Sequence, residues 1–202
     1  MQFRISHIAF MVVAFFAGLA AVFTVIFVLT DQPGRQVAGI ATQTSSIGGG
    51  FRLTDHNAQT VTEQSLKGRP SLIFFGFTHC PDVCPTALFE ISEIMTKLGA
   101  AAERVNAVFV TVDPERDTPE KLKDYLASFH PRVIGLTGSQ DDLAAMFKNY
   151  RVFAKKVPLD KGGYSMDHTA LVYLMDKNGN FVSPFSLKRT PDEAAADLRR
   201  HI

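Results

Sequence analysis

The pattern of hydrophobic and polar positions changes its period several times along the chain, and each change predicts a new element. Residues 71–77 (SLIFFGF) and 107–112 (AVFVTV) are nearly continuous apolar runs of strand length, which is typical of strands buried on both faces. Apolar residues between Leu88 and Leu98 recur at helical spacing, and Gly99 stands where that helix would end. A strand, a helix and a second strand at this spacing predict a right-handed parallel crossover.

Weaker patterns on both sides of this crossover predict the remaining elements. Residues 51–66 are typical of an opening hairpin. Thr118 and Pro119 fit the N-cap and the first position of another helix. Asn178 and Gly179 separate two apolar runs near the C-terminus, which predicts a hairpin with a type I′ turn. Parallel strands followed by an antiparallel hairpin, with helices between them, indicate a three-layer α/β domain with a mixed sheet.

The N-terminal part has a different pattern. Residues 8–29 are apolar and uncharged, long enough for a helix to cross a hydrocarbon core of roughly 30 Å. A cleaved signal peptide has a shorter apolar core of about 7 to 15 residues, so a single transmembrane helix is the better interpretation. We therefore predict a flank at residues 1–7, an anchor at 8–29, a flexible tether rich in Gly, Ser and Thr at 30–50, and a globular domain at 51–202.

The charge of the chain restricts its possible partners and its location. The net charge of +1, with 20% charged residues, provides no basic field for nucleic acid, so nucleic-acid binding is excluded as a function class. Arg4 before the anchor and Arg35 after it nearly balance, with a slight preference for an N-terminus inside. No Arg-rich and Ser-rich transit segment precedes the anchor. The predicted location is a bacterial inner membrane, with the domain on the periplasmic side.

Two cysteines, the only ones in the chain, lie in the stretch FGFTHCPDVCP, residues 75–85. A bridge between Cys80 and Cys84 would restrict the unfolded chain little, so a stabilising disulfide explains them poorly. They are two unrelated buried thiols, a redox pair or a metal site. They follow a central strand, where α/β sheets carry their sites, and the helix N-terminus there favours thiolates. Pro85 predicts an irregular turn around both cysteines, with regular helix from about Pro85.

A metal held by two thiolates needs a further ligand, and histidine is the residue type to search. Five of the six histidines lie in the membrane flank, in turns, at helix or chain ends or beside the first cysteine: His7, His56, His79, His130 and His201. His130 ends a helix, where a partial positive charge suits the dipole. His79 should point about half a turn away from Cys80. His168 stands at the mouth of the strand that enters the C-terminal hairpin and should face the cysteines, which makes ligation its better interpretation.

Three motifs occur in a fixed order over essentially the whole domain: FGFTHCPDVCPTAL, TVDPERDTPEKLKDYL and YSMDHTALVYLMDKNGNF. Together they resemble the Sco/SenC family of copper chaperones, membrane-tethered thioredoxin-like domains that help to assemble the binuclear copper centre of cytochrome c oxidase. The resemblance implies a thioredoxin-like fold, and copper ligands at Cys80, Cys84 and His168. The chemistry agrees, since soft Cu(I) accepts two thiolates and an imidazole, whereas zinc in a closed site usually takes a fourth protein ligand.

Several neighbouring residues have two interpretations each. Asp82 and Asp113 could be metal ligands, although Asp82 more simply stabilises the turn between the cysteines. Met166 is either a weak soft ligand or a packing residue. The acidic loop that resembles the second family motif either borders the copper crevice or caps the next helix through Asp117 or Thr118.

Two function classes remain open at this point. The first is a chaperone that binds copper as Cu(I) and Cu(II) and passes it to the copper-bearing subunit of cytochrome c oxidase, without turnover of a substrate, after receiving it from an upstream donor. The second is a thiol-disulfide oxidoreductase that reduces cysteines of a partner through Cys80 and Cys84. Three residues between the cysteines, and His168 opposite them, favour the metal interpretation. A peroxidase is disfavoured because Thr78 is misplaced for the peroxiredoxin pattern.

Overall fold

The computed structural model describes residues 14–25 and 47–202, which belong to two separate compact units. Residues 14–25 are helical (α1) and exposed. Among the described residues, no helix combines the length and the apolar character that crossing a membrane requires. The predicted flank at 1–7 lies outside the described residues, as do the two ends of the predicted anchor and most of the tether, so these assignments stay predictions.

The second unit alternates strands and helices. Its strands are β1 (Arg52–Asp55), β2 (Thr60–Thr62), β3 (Ser71–Gly76), β4 (Asn106–Thr111), β5 (Val133–Thr137), β6 (Ala154–Pro158), β7 (Tyr164–His168), β8 (Val172–Met175) and β9 (Phe181–Pro184). Its helices are α2 (Glu63–Leu66), α3 (Val83–Leu98), α4 (Pro119–Leu126), α5 (Gln140–Tyr150) and α6 (Pro191–Arg199), and a 3₁₀ helix, Gly99–Arg104, follows α3.

A seven-stranded mixed sheet forms the centre of this unit, in the order β2-β1-β5-β4-β3-β8-β9. Strands β3, β4 and β5 are parallel neighbours, while β1 and β8 join them antiparallel at either side. The predicted crossover from β3 through α3 to β4 is confirmed. Strands β6 and β7 form a separate antiparallel pair, which the sequence pattern did not predict.

Helices cover both faces of the central sheet. Neighbouring residues of a strand point to opposite faces. On one face, Phe74 packs against Phe109, whose ring also packs against Tyr125 at the end of α4. On the other face, Phe75 packs against Phe147 of α5. Helices α4 and α5 therefore lie on opposite sides of the sheet, and the predicted three layers are confirmed.

The start of α4 and the opening hairpin also agree with the sequence pattern. Strands β1 and β2 pair antiparallel between Arg52 and Thr62. The Thr118 hydroxyl accepts a hydrogen bond from the Lys121 backbone at 3.3 Å, and Pro119 is the first helical residue, where its missing N–H leaves no partner unsatisfied. The acidic loop before α4, residues 112–118, is thus closed by a true N-cap.

The C-terminal hairpin forms where predicted, but the type I′ turn is wrong. Of the two central residues only Gly179, at φ +85°, is left-handed, whereas type I′ requires positive φ at both. The loop is longer: the backbone of Asp176 bonds that of Asn180 at 2.8 Å. The Asp176 carboxylate accepts the N–H groups of Asn178 and Asn180, each at 2.8 Å, and this local bonding selects the longer loop.

Candidate metal centre

The two cysteines flank the start of α3. Cys80 precedes the helix and Cys84 is its second residue, because α3 begins at Val83 rather than at about Pro85. Pro85 is thus the third helical residue, where a missing N–H costs no intrahelical bond. Pro81, four residues earlier, lies outside the helix, so the clash of a proline ring with a helical carbonyl does not arise. As predicted, no regular helix runs through both cysteines.

His168 reaches the cysteines from a different place than predicted. It is the last residue of β7 in the small two-stranded sheet, not a residue at the mouth of a central strand. Its Nε2 lies 3.9 Å from the Sγ of Cys84. The tautomer protonated on Nδ1 donates to the Thr169 carbonyl at 3.1 Å, and this leaves the Nε2 lone pair on the sulfur side. The edge contact with Phe77, at 5.7 Å between centroids, fixes the ring plane.

The two thiols have different surroundings. Cys84 is fully buried and Cys80 is partly exposed, and both are free. The Cys84 N–H donates to the Cys80 Sγ at 3.4 Å. Burial raises the pKa of the Cys84 thiol to about 12, although a hydrogen bond with the Phe77 backbone opposes this. The expectation that the helix N-terminus favours both thiolates is therefore wrong for Cys84, because desolvation outweighs the dipole.

The three predicted ligands meet at one place, but they are not preassembled. Within the described ranges, no three His, Cys, Asp or Glu side chains already form a metal-binding group. A metal with bonds of about 2.3 Å to sulfur and about 2.0 Å to nitrogen, as for zinc, would span the Cys84–His168 separation at an angle of roughly 130°. That angle suits three ligands around one ion.

Asp117 fixes the cysteine loop, residues 77–82, to the end of β4. Its carboxylate accepts the Thr78 N–H at 3.0 Å, the Thr78 hydroxyl at 2.6 Å and the Thr111 hydroxyl at 2.6 Å. Asp117 is fully buried, so these donors replace its hydration. Thr118 caps the helix, and Asp117 instead holds the turn that carries Cys80. Sequence reasoning considered Thr78 only against a peroxidase pattern and did not consider Thr111, although both residues lie within the first two motifs.

Asp113, at the other end of the same loop, fixes the β6–β7 hairpin. Its carboxylate is fully buried, pairs with Arg116 and accepts the Tyr164 hydroxyl at 2.8 Å. Arg116 lies 3.9 Å above the Tyr164 ring and donates to the Tyr164 carbonyl at 3.0 Å. Desolvation, together with the hydrogen bond to Asp113, raises the pKa of Tyr164 to about 12, so the hydroxyl keeps its proton and remains a donor. Tyr164 is the first residue of the third motif, but no role was predicted for it.

The other candidate residues lie in structural roles. His79 is exposed and bonds the Thr78 hydroxyl. Burial, with Arg132 nearby, lowers the pKa of His130, so the expected positive charge at that position is wrong. Met166 packs against the core.

The remaining candidates give no further ligand. Asp82 is the N-cap residue of α3, where its carboxylate accepts the Thr86 hydroxyl at 3.4 Å. His56 accepts the Gly135 N–H at 3.0 Å. His7 lies outside the described residues.

Comparison with known proteins identifies the family of the chain. The SCO1/SenC family model matches residues 39–202. The chain is 38% identical over 191 residues to a SCO2-like protein of Rickettsia conorii, with 93% of each chain covered. A structure of Bradyrhizobium japonicum ScoI with copper bound is 62% identical, with a TM-score of 0.76, covering 78% of this chain and all of that one.

A more distant structure gives the family context. BsSco, described with a disulfide switch and as a member of the Sco family of cytochrome c oxidase assembly proteins, is 26% identical with a TM-score of 0.60, covering 76% of this chain and 91% of that one. This chain belongs to the SCO1/SenC family. Its thioredoxin-like α/β fold with a mixed sheet is that of the family.

Proposed function

We propose that this protein binds copper through Cys80, Cys84 and His168 and delivers it to the binuclear copper site of cytochrome c oxidase. One observation carries the assignment: the start of α3 and the end of β7 place the Cys84 Sγ 3.9 Å from the Nε2 of His168, and the Cys80 Sγ accepts the Cys84 N–H. The copper-bound ScoI of Bradyrhizobium japonicum supports copper as the metal.

The donor set suits both oxidation states of copper. Two thiolates and an imidazole satisfy soft Cu(I), with a net charge of minus one, and the imidazole nitrogen suits Cu(II), with a net charge of zero. Binding requires both thiols to lose their protons, so copper takes the place of a proton on buried Cys84.

Partial exposure of the site supports transfer rather than storage. Cys84 is buried, whereas Cys80 and His168 are half-buried at the surface. A partner's ligand can therefore reach the metal from the side of Cys80, and copper can leave by stepwise ligand exchange. The acceptor in this proposal is the copper-bearing subunit of the oxidase, and an upstream protein supplies the metal. The description of the family through BsSco supports the oxidase as the destination.

The N-terminal part places this chemistry at a membrane in our proposal. Residues 8–29 anchor the chain in a bacterial inner membrane, and residues 30–50 tether the domain on the periplasmic side. The uncharged apolar run and its length support the anchor. Retention of the full chain in the membrane fraction after alkaline extraction, and release of a chain that starts at Phe51, would test this placement.

A thiol-disulfide oxidoreductase has less support. Attack on a partner's disulfide needs an accessible sulfur, which Cys80 offers and buried Cys84 does not, so burial alone does not decide between the two functions. Exchange between two sulfurs also has no use for an imidazole in contact with one of them. The two cysteines remain able to oxidise, but the position of His168 against Cys84 favours the metal.

A transfer experiment tests the proposed function. The full chain is loaded with copper and mixed with the copper-free acceptor domain of the oxidase, and the absorption of the binuclear centre is followed. We expect the wild type and His79→Ala, a matched control beside Cys80 but outside the site, to fill the acceptor. His168→Ala should fail to do so. Equal filling by His168→Ala would reject the assignment.

A further inference from the structure

The acidic loop connects the two halves of the proposed copper site. Through Asp117 it holds the turn that carries Cys80, and through Asp113 it holds the strand that ends in His168. Three residues form the second connection, and we call Asp113, Arg116 and Tyr164 the clasp. The clasp lies outside the proposed ligand set, and the proposed function leaves it unexplained.

The two-stranded sheet of β6 and β7 needs contacts with the rest of the domain to hold His168 in place. Strands β6 and β7 pair only with each other, and a two-stranded hairpin is at best marginally stable alone. Four of the five residues of β6 are exposed. The pair between Lys156 and Glu115 joins this hairpin to the acidic loop, but both side chains are about half exposed, so water screens it. Near His168, the Phe153 and Thr169 backbones bond each other at 3.0 Å.

The clasp is the buried attachment at the far end of β7. Tyr164 and His168 are the first and last residues of this strand, about 13 Å apart along an extended chain. The buried carboxylate of Asp113 accepts the Tyr164 hydroxyl, and Arg116 covers the ring. Tyr164 is therefore held through both its hydroxyl and its ring.

The clasp also approaches His168 from a second direction. The guanidinium of Arg116 lies 5.8 Å from the centre of the Phe77 ring, and the edge of Phe77 meets the His168 imidazole. A shift of Arg116 would thus move Phe77, which fixes the imidazole plane. The clasp is therefore connected to the His168 imidazole in two ways, through strand β7 and through the Phe77 ring.

We propose that Tyr164 is a positioning residue for copper: its hydrogen bond to Asp113 holds β7 so that His168 stays against Cys84. The inference rests on the proposed function, because it concerns the same three ligands. Loss of the hydroxyl leaves the ring under Arg116 but frees the start of the strand. The imidazole then spends part of its time away from the cysteines, and copper is held by two sulfurs alone.

A double-mutant cycle separates this role from a purely structural one. Cu(I) affinity is measured by competition with a Cu(I) chelator in the full chain, for the wild type, Tyr164→Phe, His168→Ala and the double variant. The control is Tyr173→Phe, which removes a hydroxyl from a tyrosine whose ring packs in the central sheet against Phe75 and Phe181.

We expect Tyr164→Phe to weaken Cu(I) binding about tenfold when His168 is present, as for loss of a hydrogen bond to a charged group, and to have no effect in the His168→Ala background. Tyr173→Phe should leave affinity unchanged. An equal loss in both backgrounds, or no loss in either, would overturn the positioning role while leaving the copper site intact. A wild-type chain that binds no copper would instead reject the proposed function, and this inference with it.

Discussion

The Nε2 of His168 lies 3.9 Å from the Sγ of Cys84, although 84 positions separate the two residues in the chain. The contact joins the start of a helix on the central sheet to the last residue of a separate hairpin. Neither element forms the site alone. The geometry of the site therefore depends on the contacts that hold the helix and the hairpin in place.

Gly76 leaves the space that Cys84 occupies. A Cβ at this position would lie 2.8 Å from the Cys84 Sγ and 2.7 Å from Phe109, so Gly76→Ala must displace the sulfur. We expect the free energy of unfolding to fall by about 1–3 kcal/mol, and Cu(I) affinity to fall as well. Urea denaturation and chelator competition measure the two effects.

Gly135→Ala is the matched control for that substitution. Its Cβ would lie 2.6 Å from the Leu126 side chain in α4, remote from the proposed ligands. Stability should fall while copper affinity stays unchanged. An equal loss of affinity in both variants would show that Gly76 acts through general packing alone.

Asp117 should matter for copper as well as for stability. Asp117→Ala leaves three donors without their acceptor, and we expect a loss of about 3–5 kcal/mol in the free energy of unfolding, as for a broken buried polar network. Thr118→Ala removes only a helix cap, at a cost of about 1 kcal/mol. Urea denaturation gives both values. Copper affinity should fall for Asp117→Ala alone; an unaffected affinity in the folded variant would contradict its role in holding the cysteine loop.

How much of this site is readable from the sequence depends on the range of each interaction. Continuous apolar runs predicted β3 and β4, since burial on both faces dictates such runs. Strands β6 and β7 escaped prediction because each is only five residues long and neither has a buried apolar run: four residues of β6 are exposed, and four residues of β7 are half-buried. The proposed role of His168 came from its position before the C-terminal hairpin and from its motif, although the structure places it at the end of β7.

The features that the sequence did not predict depend on contacts between residues far apart in the chain. Tyr164 meets Asp113 across 51 positions, a contact that no local pattern records. The start of α3 was misplaced by two residues because Pro85 was judged by helix-interior rules, whereas it lies in the first turn. The glycine of the C-terminal turn was found correctly, but the side chain of Asp176 selects the turn type.

The cysteines should oxidise to a disulfide in mild oxidant when copper is absent. The two residues are close in space, since the Cys84 N–H donates to the Cys80 Sγ at 3.4 Å, and a disulfide needs a Cα separation of about 4.4–6.8 Å. Thiol titration should fall by two groups per chain, with the same result in His168→Ala because the imidazole is not needed for the bond. Unchanged titration after oxidation would contradict this prediction.

Acid should weaken the attachment of α6. The hydrogen bond from Arg189 holds the pKa of Asp197 below its usual value, against the opposing effect of burial. The contribution of this carboxylate to stability is therefore present above the unfolded pKa of about 3.9 and is lost as the pH falls through the lower folded pKa. Asp197→Asn should flatten that acid dependence in urea denaturation. Asp192→Asn, which removes an exposed pair with Lys97, should not; equal flattening in both would contradict the assignment.

X-ray absorption of the Cu(I)-loaded full chain tests the central claim most directly, because it counts the sulfur and nitrogen neighbours of the metal. Copper held by Cys80, Cys84 and His168 should show two sulfurs and one nitrogen at one equivalent per chain. His168→Ala should lose the nitrogen, and Cys80→Ser or Cys84→Ser should abolish stoichiometric binding, since a neutral hydroxyl cannot replace a soft thiolate. An unchanged nitrogen signal in His168→Ala, or full copper retention by both serine variants, would contradict the account.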